Sequence, residues 1–402
     1  MVHKNEQEQY EVSFDFTELF FSRTDTRGIL EAGNGVFGRI SLYSWDELIK
    51  KPHNVIRHSD MPKGVFYLFW QFLKQKKPIG AYVKNRAKDG RHYWVFAIAT
   101  PVENGYLSVR LKPSSNFFQV AQKEYEALLK YEHDNNVTPQ QSSEKLLQDL
   151  KGLGFGSYDE FMSSALGEEI LSRDRNLGRV ENKVISSLNQ LMKEAKSLDA
   201  ESEKITSSYE ENRYVPMNLR IQSFKLEEQG RAISVISGNY DIVSNEIKEE
   251  LGKFSNSASD VFRLLFEGQF LLCTASIQKE VVKFFEGEHI SEDNPTNKLL
   301  EMKSLEGQQV EYQKRAKLAI AKILSQIDSF EDDCSRMRRC AASLEVIRVM
   351  AKIDTARLTD YKGALNELLN NLQTFQDSIN DSLSKIDDVN SQMKYHLLRA
   401  SA

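Results

Sequence analysis

The strongest constraint in this chain is a seven-residue apolar repeat in its later part. Leu177, Val184, Leu191, Leu198 and Ile205 recur at that interval, with Leu188 and Ala195 on the adjoining seam. Leu365, Leu372, Ile379, Ile386 and Met393 repeat the pattern, supported by Leu368, Phe375, Leu383 and Val389. A helix patterned this way buries one stripe against other helices, so residues 177 to 398 predict long antiparallel helices. The breakers agree: beyond residue 140 the only prolines are Pro216 and Pro295. A polar stretch, "EGEHISEDNPTNK", reads as a linker over 286–298 between one helical hairpin at 177–285 and a second at 299–398.

The earlier part is of a different kind. All three tryptophans (Trp45, Trp70, Trp94) lie before residue 115, as do five of the eight prolines. "EVSFDF" alternates like a strand, and "RGILEAGNGVFGRI" carries turn glycines. The segment "GAYVKNRAKDGRHYWVFAIATPVENGYLSVRLKP" reads as a β meander with Asp-Gly and Asn-Gly hairpin signals. "SWDELIKKPH" opens on a Ser N-cap, and "MPKGVFYLFWQFLKQKK" reads as a longer helix with Pro62 near its first turn. Asp60 suits that helix as its N-cap. We therefore expect a cap at 1–20, a mixed domain at 21–115 and connecting helices at 116–176. "GLGFG" reads as a helix C-terminus, since no Lys-Ser or Lys-Thr follows it as in a phosphate loop.

The order of strands and helices over 21–115 suggests a PAS-type sensor domain. "NVIRHSDMPKGVFYLFWQFLKQKKPIGAYVKNRAKDGRHYWV" resembles the PAS domain of bacterial aerotaxis receptors. The hallmark there is Arg-His-x-Asp-Met-Pro, followed by Lys-Asn-Arg and His-Tyr-Trp-Val. Ser59 stands here where that segment usually has proline, and Ile79 where tryptophan is usual. The resemblance implies noncovalently held FAD, with Arg57, His58 and Asp60 as residues that support its binding. Arg57 would grip a pyrophosphate through two hydrogen bonds. Asn34 and Asn85 would bond the flavin ring or its ribityl chain, and Trp70 would line the wall. Haem is an alternative ligand, kept open by His53, His58 and His92, and an empty structural core is another.

Composition narrows the function. A net charge of −5 gives no basic excess for nucleic acid. No apolar run is long enough to span a bilayer, and the polar N-terminus reads as no signal peptide. An odd number of cysteines, three, with no Cys-x-x-Cys pair predicts a reduced, cytoplasmic protein without structural zinc. No nucleophile motif or acid–base pair accompanies the ligand residues, so we expect a sensor and not an enzyme.

"VPMNLRIQSFKLEEQGRAISVISGNYDIVSNEI" resembles, in degenerate form, the hairpin tip of methyl-accepting chemotaxis proteins. Asn218, Glu228, Gln229, Gly230 and Arg231 fall at matching positions. The resemblance implies contact with the chemotaxis kinase CheA, the adaptor CheW or other chemoreceptors. Gln222, Phe224 and Lys225 replace the family's Glu-Ala-Ala-Arg. A looser likeness sets Ile221, Lys225 and Leu226 against Ile353, Arg357 and Leu358, with turns near Gly230 and Tyr361. It would give a four-helix bundle within one chain; the ordinary receptor arrangement would be a homodimer. The fold class expected is an α+β PAS domain followed by an all-α bundle, serving aerotaxis or redox signalling. Regulation of a partner other than CheA and a structural coiled coil are the alternatives.

Overall fold

The computed structural model describes residues 10–357 and 362–401. The chain forms two compact units, one of residues 1–189 and 266–318, the other of residues 190–265 and 319–402.

The first unit is built on a five-stranded antiparallel sheet in the order β2-β1-β5-β4-β3. Its strands are β1 (Phe20–Thr24), β2 (Leu30–Gly33), β3 (Ile79–Arg86), β4 (His92–Val102) and β5 (Gly105–Leu111). The Asp-Gly and Asn-Gly signals form the β3–β4 and β4–β5 hairpins, as their turn chemistry requires. Between β2 and β3 run helices α1 (Gly35–Ser41) and α2 (Trp45–Leu48), a 3₁₀ turn (His53–Ile56) and α3 (Lys63–Lys74). Ser44 starts α2 with a complete capping box, its Glu47 partner reaching back to the Ser44 N–H. The alternation of "EVSFDF" buries Val12 and Phe14, yet only Glu11 forms a ladder bridge, to His92. The pattern was right about burial and wrong about a strand, because the neighbouring backbone offers pairing at one residue only.

Asp60 does not cap α3. The cap position falls on Pro62, which has no side-chain donor or acceptor to offer. Glu132, far along α4 (Asn116–Asn135), takes over: its Oε1 accepts from the N–H groups of Lys63 (2.7 Å) and Gly64 (3.3 Å) and from Ser142 Oγ (2.5 Å). A carboxylate suits this place, since the first N–H groups of a helix have no internal acceptor. Asp60 instead pairs with Lys84 Nζ at 2.8 Å. Gly64 is needed for the approach of α5 (Pro139–Gly152), because a Cβ there would lie 2.6 Å from the Ser142 backbone carbon.

The opposite face of the sheet is also covered. Helices α4 and α6 (Tyr158–Asn176) pack on it through a polar centre at Glu169, which is fully buried. Glu169 accepts from Tyr82 Oη (2.7 Å), Ser115 Oγ (2.7 Å) and the Ser114 N–H (2.6 Å). Burial nonetheless pushes its carboxyl above the ordinary glutamate value, against those hydrogen bonds. Residues 266–318 join the same layer, and Phe285 meets Phe21 edge-on at 5.1 Å. The connecting segment read as a linker grips the end of β2. Thr296 Oγ1 accepts from the Gly33 N–H and donates to its carbonyl (both 3.0 Å), Asn294 Nδ2 donates to that carbonyl (3.0 Å), and Glu288 Oε1 accepts from the Gly35 N–H (2.6 Å). Glu301, at the start of the following helix, receives Arg23 Nε on both carboxylate oxygens.

The second unit is helical. It takes residues from α7 (Lys183–Asn212), α8 (Val215–Lys225), α9 (Arg231–Gly287), α10 (Lys298–Ala356) and α11 (Lys362–Ser401). Leu365, Leu372, Phe375, Ile379, Leu383, Ile386, Val389 and Met393 bury the later seam, with Leu368 half-buried; Leu188, Leu191, Ala195, Leu198 and Ile205 bury the earlier one, with Val184 half-buried. Leu177 lies outside it, as the residue that ends α6. The first arm of the hairpin expected at 177–285 is interrupted at Arg213 and Tyr214, and Pro216 sits in the first turn of a new helix. Phe254 faces Phe330 (4.4 Å between rings), Glu201 accepts from Ser382 Oγ (2.9 Å), and Ser237 Oγ donates to the Pro216 carbonyl (2.6 Å). Four helical stretches of one chain thus share a core: α7 with α8, α9, α10 and α11. The reversal into α9 is a 3₁₀ turn, Glu227–Gly230. Its positive φ falls on Glu227 (47°), while Gly230 serves close approach, a Cβ there lying 2.0 Å from the Ser223 carbonyl oxygen. Asn218 and Arg231 are exposed. The side chains of Glu228 and Gln229, and the expected turn at Tyr361, lie outside the described residues. Among the described residues no helix is long and apolar enough to cross a membrane.

Candidate functional site

The inner face of the sheet and α3 enclose a cavity of about 240 Å³. Strand periodicity puts alternate residues there: Ser22 and Thr24 from β1, Val83 and Asn85 from β3, Ala97 and Ala99 from β4, Tyr106, Ser108 and Arg110 from β5. The two alanines leave the room that larger side chains would fill. Phe66, Phe69, Trp70 and Leu73 recur at helical spacing along one face of α3 and close the opposite wall. Trp70 stands edge-on to Tyr106 at 5.6 Å. Arg27, Pro52 and Asn54 line it too and are exposed, so the cavity meets solvent on their side.

Three of the residues expected from sequence meet in this lining: Arg57, Trp70 and Asn85. A backbone bridge between Arg57 and Asn85 holds two of them together. The Arg57 guanidinium lies 4.1 Å from the centre of the Phe66 ring, and its Nη2 donates to the Met61 carbonyl at 3.0 Å. Burial lowers its pKa below the ordinary arginine value. The other three stand elsewhere. Asn34 caps α1, its Oδ1 accepting from the Phe21 and Phe37 N–H groups while Nδ2 donates to the Leu19 carbonyl. With each polar atom engaged and no exposure, Asn34 joins β1 to α1 and is not part of the lining. His58 accepts from the Asp60 N–H (3.1 Å) and lies 6.0 Å from the His92 ring, outside the lining. Burial and Lys84 lower the His58 pKa. The exposed Asp60 is held ionised by its hydrogen bond from Lys84. Ile79 is fully buried and does not reach the lining.

Sequence reasoning singled out His53 only as a candidate haem ligand and missed Ser22 and Arg110, with which it makes the polar end of the cavity. Arg110 Nη2 donates to Ser22 Oγ (2.9 Å) and to His53 Nε2 (2.6 Å). Because arginine only donates, His53 Nε2 must accept, which leaves the imidazole neutral with its proton on Nδ1. Desolvation and the neighbouring Arg110 charge hold the His53 pKa down to about 3. Arg110 is 3% exposed, and burial draws its pKa down to about 10, so it remains a cation at neutral pH. The signal was present in "GYLSVRL": Tyr106, Ser108 and Arg110 form a polar alternate face, which is read as facing solvent until the fold turns it inward.

The sequence from residue 33 to 109 matches the family model of the PAS fold. The N-terminal region is a PAS domain. Over 112 residues, 27% of this chain, it is 38% identical to the aerotaxis receptor of Escherichia coli (strain K12), across 22% of that protein. Over 83 residues, 21% of this chain, it is 32% identical to the nitrogen fixation regulatory protein of Klebsiella pneumoniae, across 17% of that protein. The chain thus spans about a fifth of the length of these curated relatives. Among solved structures, the PAS domain of a Colwellia psychrerythraea protein is 16% identical, with 28% of this chain and 97% of that one covered at a TM-score of 0.21. The light-state structure of the blue-light photoreceptor Aureochrome1 LOV is 15% identical, with 31% and 99% covered at a TM-score of 0.24.

The residues present fit a flavin better than a haem. The cavity is smaller than the ~300–1,000 Å³ of typical ligand pockets, so it suits a flat ring system with the rest of a dinucleotide outside. Haem would need an axial ligand, and the histidine in the lining already has Nε2 engaged by Arg110. Among the described residues no group of three or more His, Cys, Asp or Glu could hold a metal ion.

Proposed function

We propose that the PAS domain binds a flavin, as FAD, and that the chain is a signal-transducing sensor of the aerotaxis or redox type. The observation that carries this is the convergence of Arg57, Trp70 and Asn85 on one cavity of the domain that resembles the aerotaxis receptor. Bound flavin would supply reversible reduction. The chain's own residues would do the rest: Trp70 and Phe69 would cover the ring, Asn85 would offer amide hydrogen bonds, and Arg57 would hold the phosphates. β1 presents Ser22 and Thr24 to the cavity and, on its other face, Phe21 and Arg23 to Phe285 and Glu301. A change at the ligand therefore reaches α9 and α10 through one strand. In this reading the exposed Asn218 and Arg231, with the 3₁₀ turn between them, meet CheA, CheW or another chemoreceptor.

The test is the absorption spectrum of the purified full chain, before and after incubation with FAD. The two-banded flavin spectrum is expected in wild type, and Arg57→Ala or Asn85→Ala should reduce its amplitude relative to protein. A protein without flavin absorbance that takes up no FAD would overturn the reading; a Soret band would put haem in its place.

A further inference from the structure

Two hydroxyls in the cavity wall are left open. Thr24 on β1 and Ser108 on β5 both line it, and among the described residues neither side chain makes a hydrogen bond. Their neighbours on the same face are already engaged, since Ser22 and His53 both accept from Arg110. Thr24 is only 7% exposed, yet its hydroxyl is not sealed by protein, and neither is that of the half-buried Ser108. On a sheet face that α3 closes, the space left to both is the cavity. A hydroxyl withdrawn from bulk water costs free energy unless something bonds it. The register sets the two along one edge of the cavity floor. Ser108 pairs with Ala99 of β4 on one side and with Ser22 of β1 on the other, while Thr24 pairs with Tyr106. Thr24 and Ser108 are therefore diagonal neighbours, about 7–8 Å apart, which one edge of a fused ring can span. Arg57 and Asn85, joined by their bridge, stand on the β3 flank, across the floor made by Ala97 and Ala99.

We infer that Thr24 and Ser108 form a second polar subsite, whose hydroxyls hydrogen-bond the edge of the bound ring that faces away from Arg57 and Asn85. A hydroxyl donates or accepts as its partner requires, so the subsite takes ring nitrogens and carbonyl oxygens alike. The cavity then favours a heteroaromatic ring with polar atoms on that edge over a wholly apolar ring of the same size. This subsite rests on the flavin reading, in which the ring carries such atoms.

The experiment uses the full chain with FAD as the probe, comparing wild type with Thr24→Val, Ser108→Ala and the conservative exchanges Thr24→Ser and Ser108→Thr. Two quantities are read: the FAD dissociation constant, and the carbonyl and C=N stretching bands of the bound flavin by vibrational spectroscopy. Thr24→Val keeps the shape of the side chain and removes only the hydroxyl. It and Ser108→Ala should each weaken FAD binding by about 2- to 10-fold and shift one of those bands, as a lost hydrogen bond requires. Thr24→Ser retains a hydroxyl and should leave the bands where they are in wild type; Ser108→Thr should do the same. The two positions are tested separately, so one decides if a variant at the other does not fold. A purely structural role would weaken binding without moving any band, and that result would overturn the subsite. Hydroxyl-free variants that bind FAD as wild type does, with unshifted bands, would also overturn it and leave the flavin reading standing. A wild-type protein that binds no FAD would overturn both.

Discussion

Replacing Glu132 by alanine should loosen α3, although the two residues it caps lie about seventy positions earlier in the chain. The substitution removes the acceptor of the Lys63 N–H and of Ser142 Oγ, while the Gly64 N–H keeps Ser142 Oγ at 3.1 Å. Loss of a capping acceptor costs about 0.5–2 kcal/mol. Removing a negative charge from a helix N-terminus adds about 0.3–1 kcal/mol. The sum, about 1–3 kcal/mol, corresponds to roughly 5- to 150-fold faster amide exchange along α3 if those amides open locally. Glu132→Gln retains an acceptor oxygen and loses only the charge, so its effect should be about 1 kcal/mol or less. Hydrogen–deuterium exchange of peptides spanning residues 61 to 75 measures this directly and does not require the whole chain to unfold in one step. Exchange in Glu132→Ala within about threefold of wild type would refute the reasoning, because α3 would then be held by packing alone. The consequence reaches the cavity, since the same helix carries Phe66, Phe69, Trp70 and Leu73.

The His53 environment predicts an acid-labile first unit. Its folded pKa of about 3 lies below the ordinary value of 6.5, so below pH 6.5 the unfolded chain binds a proton that the folded chain refuses. Stability should fall by about 1.4 kcal/mol per pH unit as pH drops through that window, with His53→Gln removing this part of the slope in urea titrations. His58 and His92, also lowered by burial, act in the same direction and remain in the variant, so the difference between the two proteins is the quantity to compare. An identical slope in both would refute the assignment. A second case concerns Arg23, whose loss leaves Glu301 buried with a side chain 2% exposed. Arg23→Met should cost about 3–5 kcal/mol, and pairing it with Glu301→Met should recover a large part in a double-mutant cycle. Additive losses would show that the pair is not coupled.

The elements of the PAS domain were legible in sequence because their signals are local. Asp-Gly and Asn-Gly hairpins, the Ser44 capping box and the apolar spacing of α3 each act within a few residues, and the heptad seams marked the helices from Leu188 onward. What acts across long separations was not legible. Asp60 was a reasonable cap by proximity, but a helix N-terminus takes whichever acceptor the packing delivers, and here α4 delivers Glu132. Asn34 has the chemistry of a ligand residue; whether its amide meets a ligand or the Leu19 and Phe21 backbone depends on where β1 lies. Arg110 shows the point most plainly. Its alternation with Leu107, Val109 and Leu111 established that it lies on the polar face of a strand, which is a matter of backbone geometry. Whether that face meets water or a buried cavity was decided by α3 closing over the sheet, because the cost of burying a charge depends on the surroundings that folding assembles.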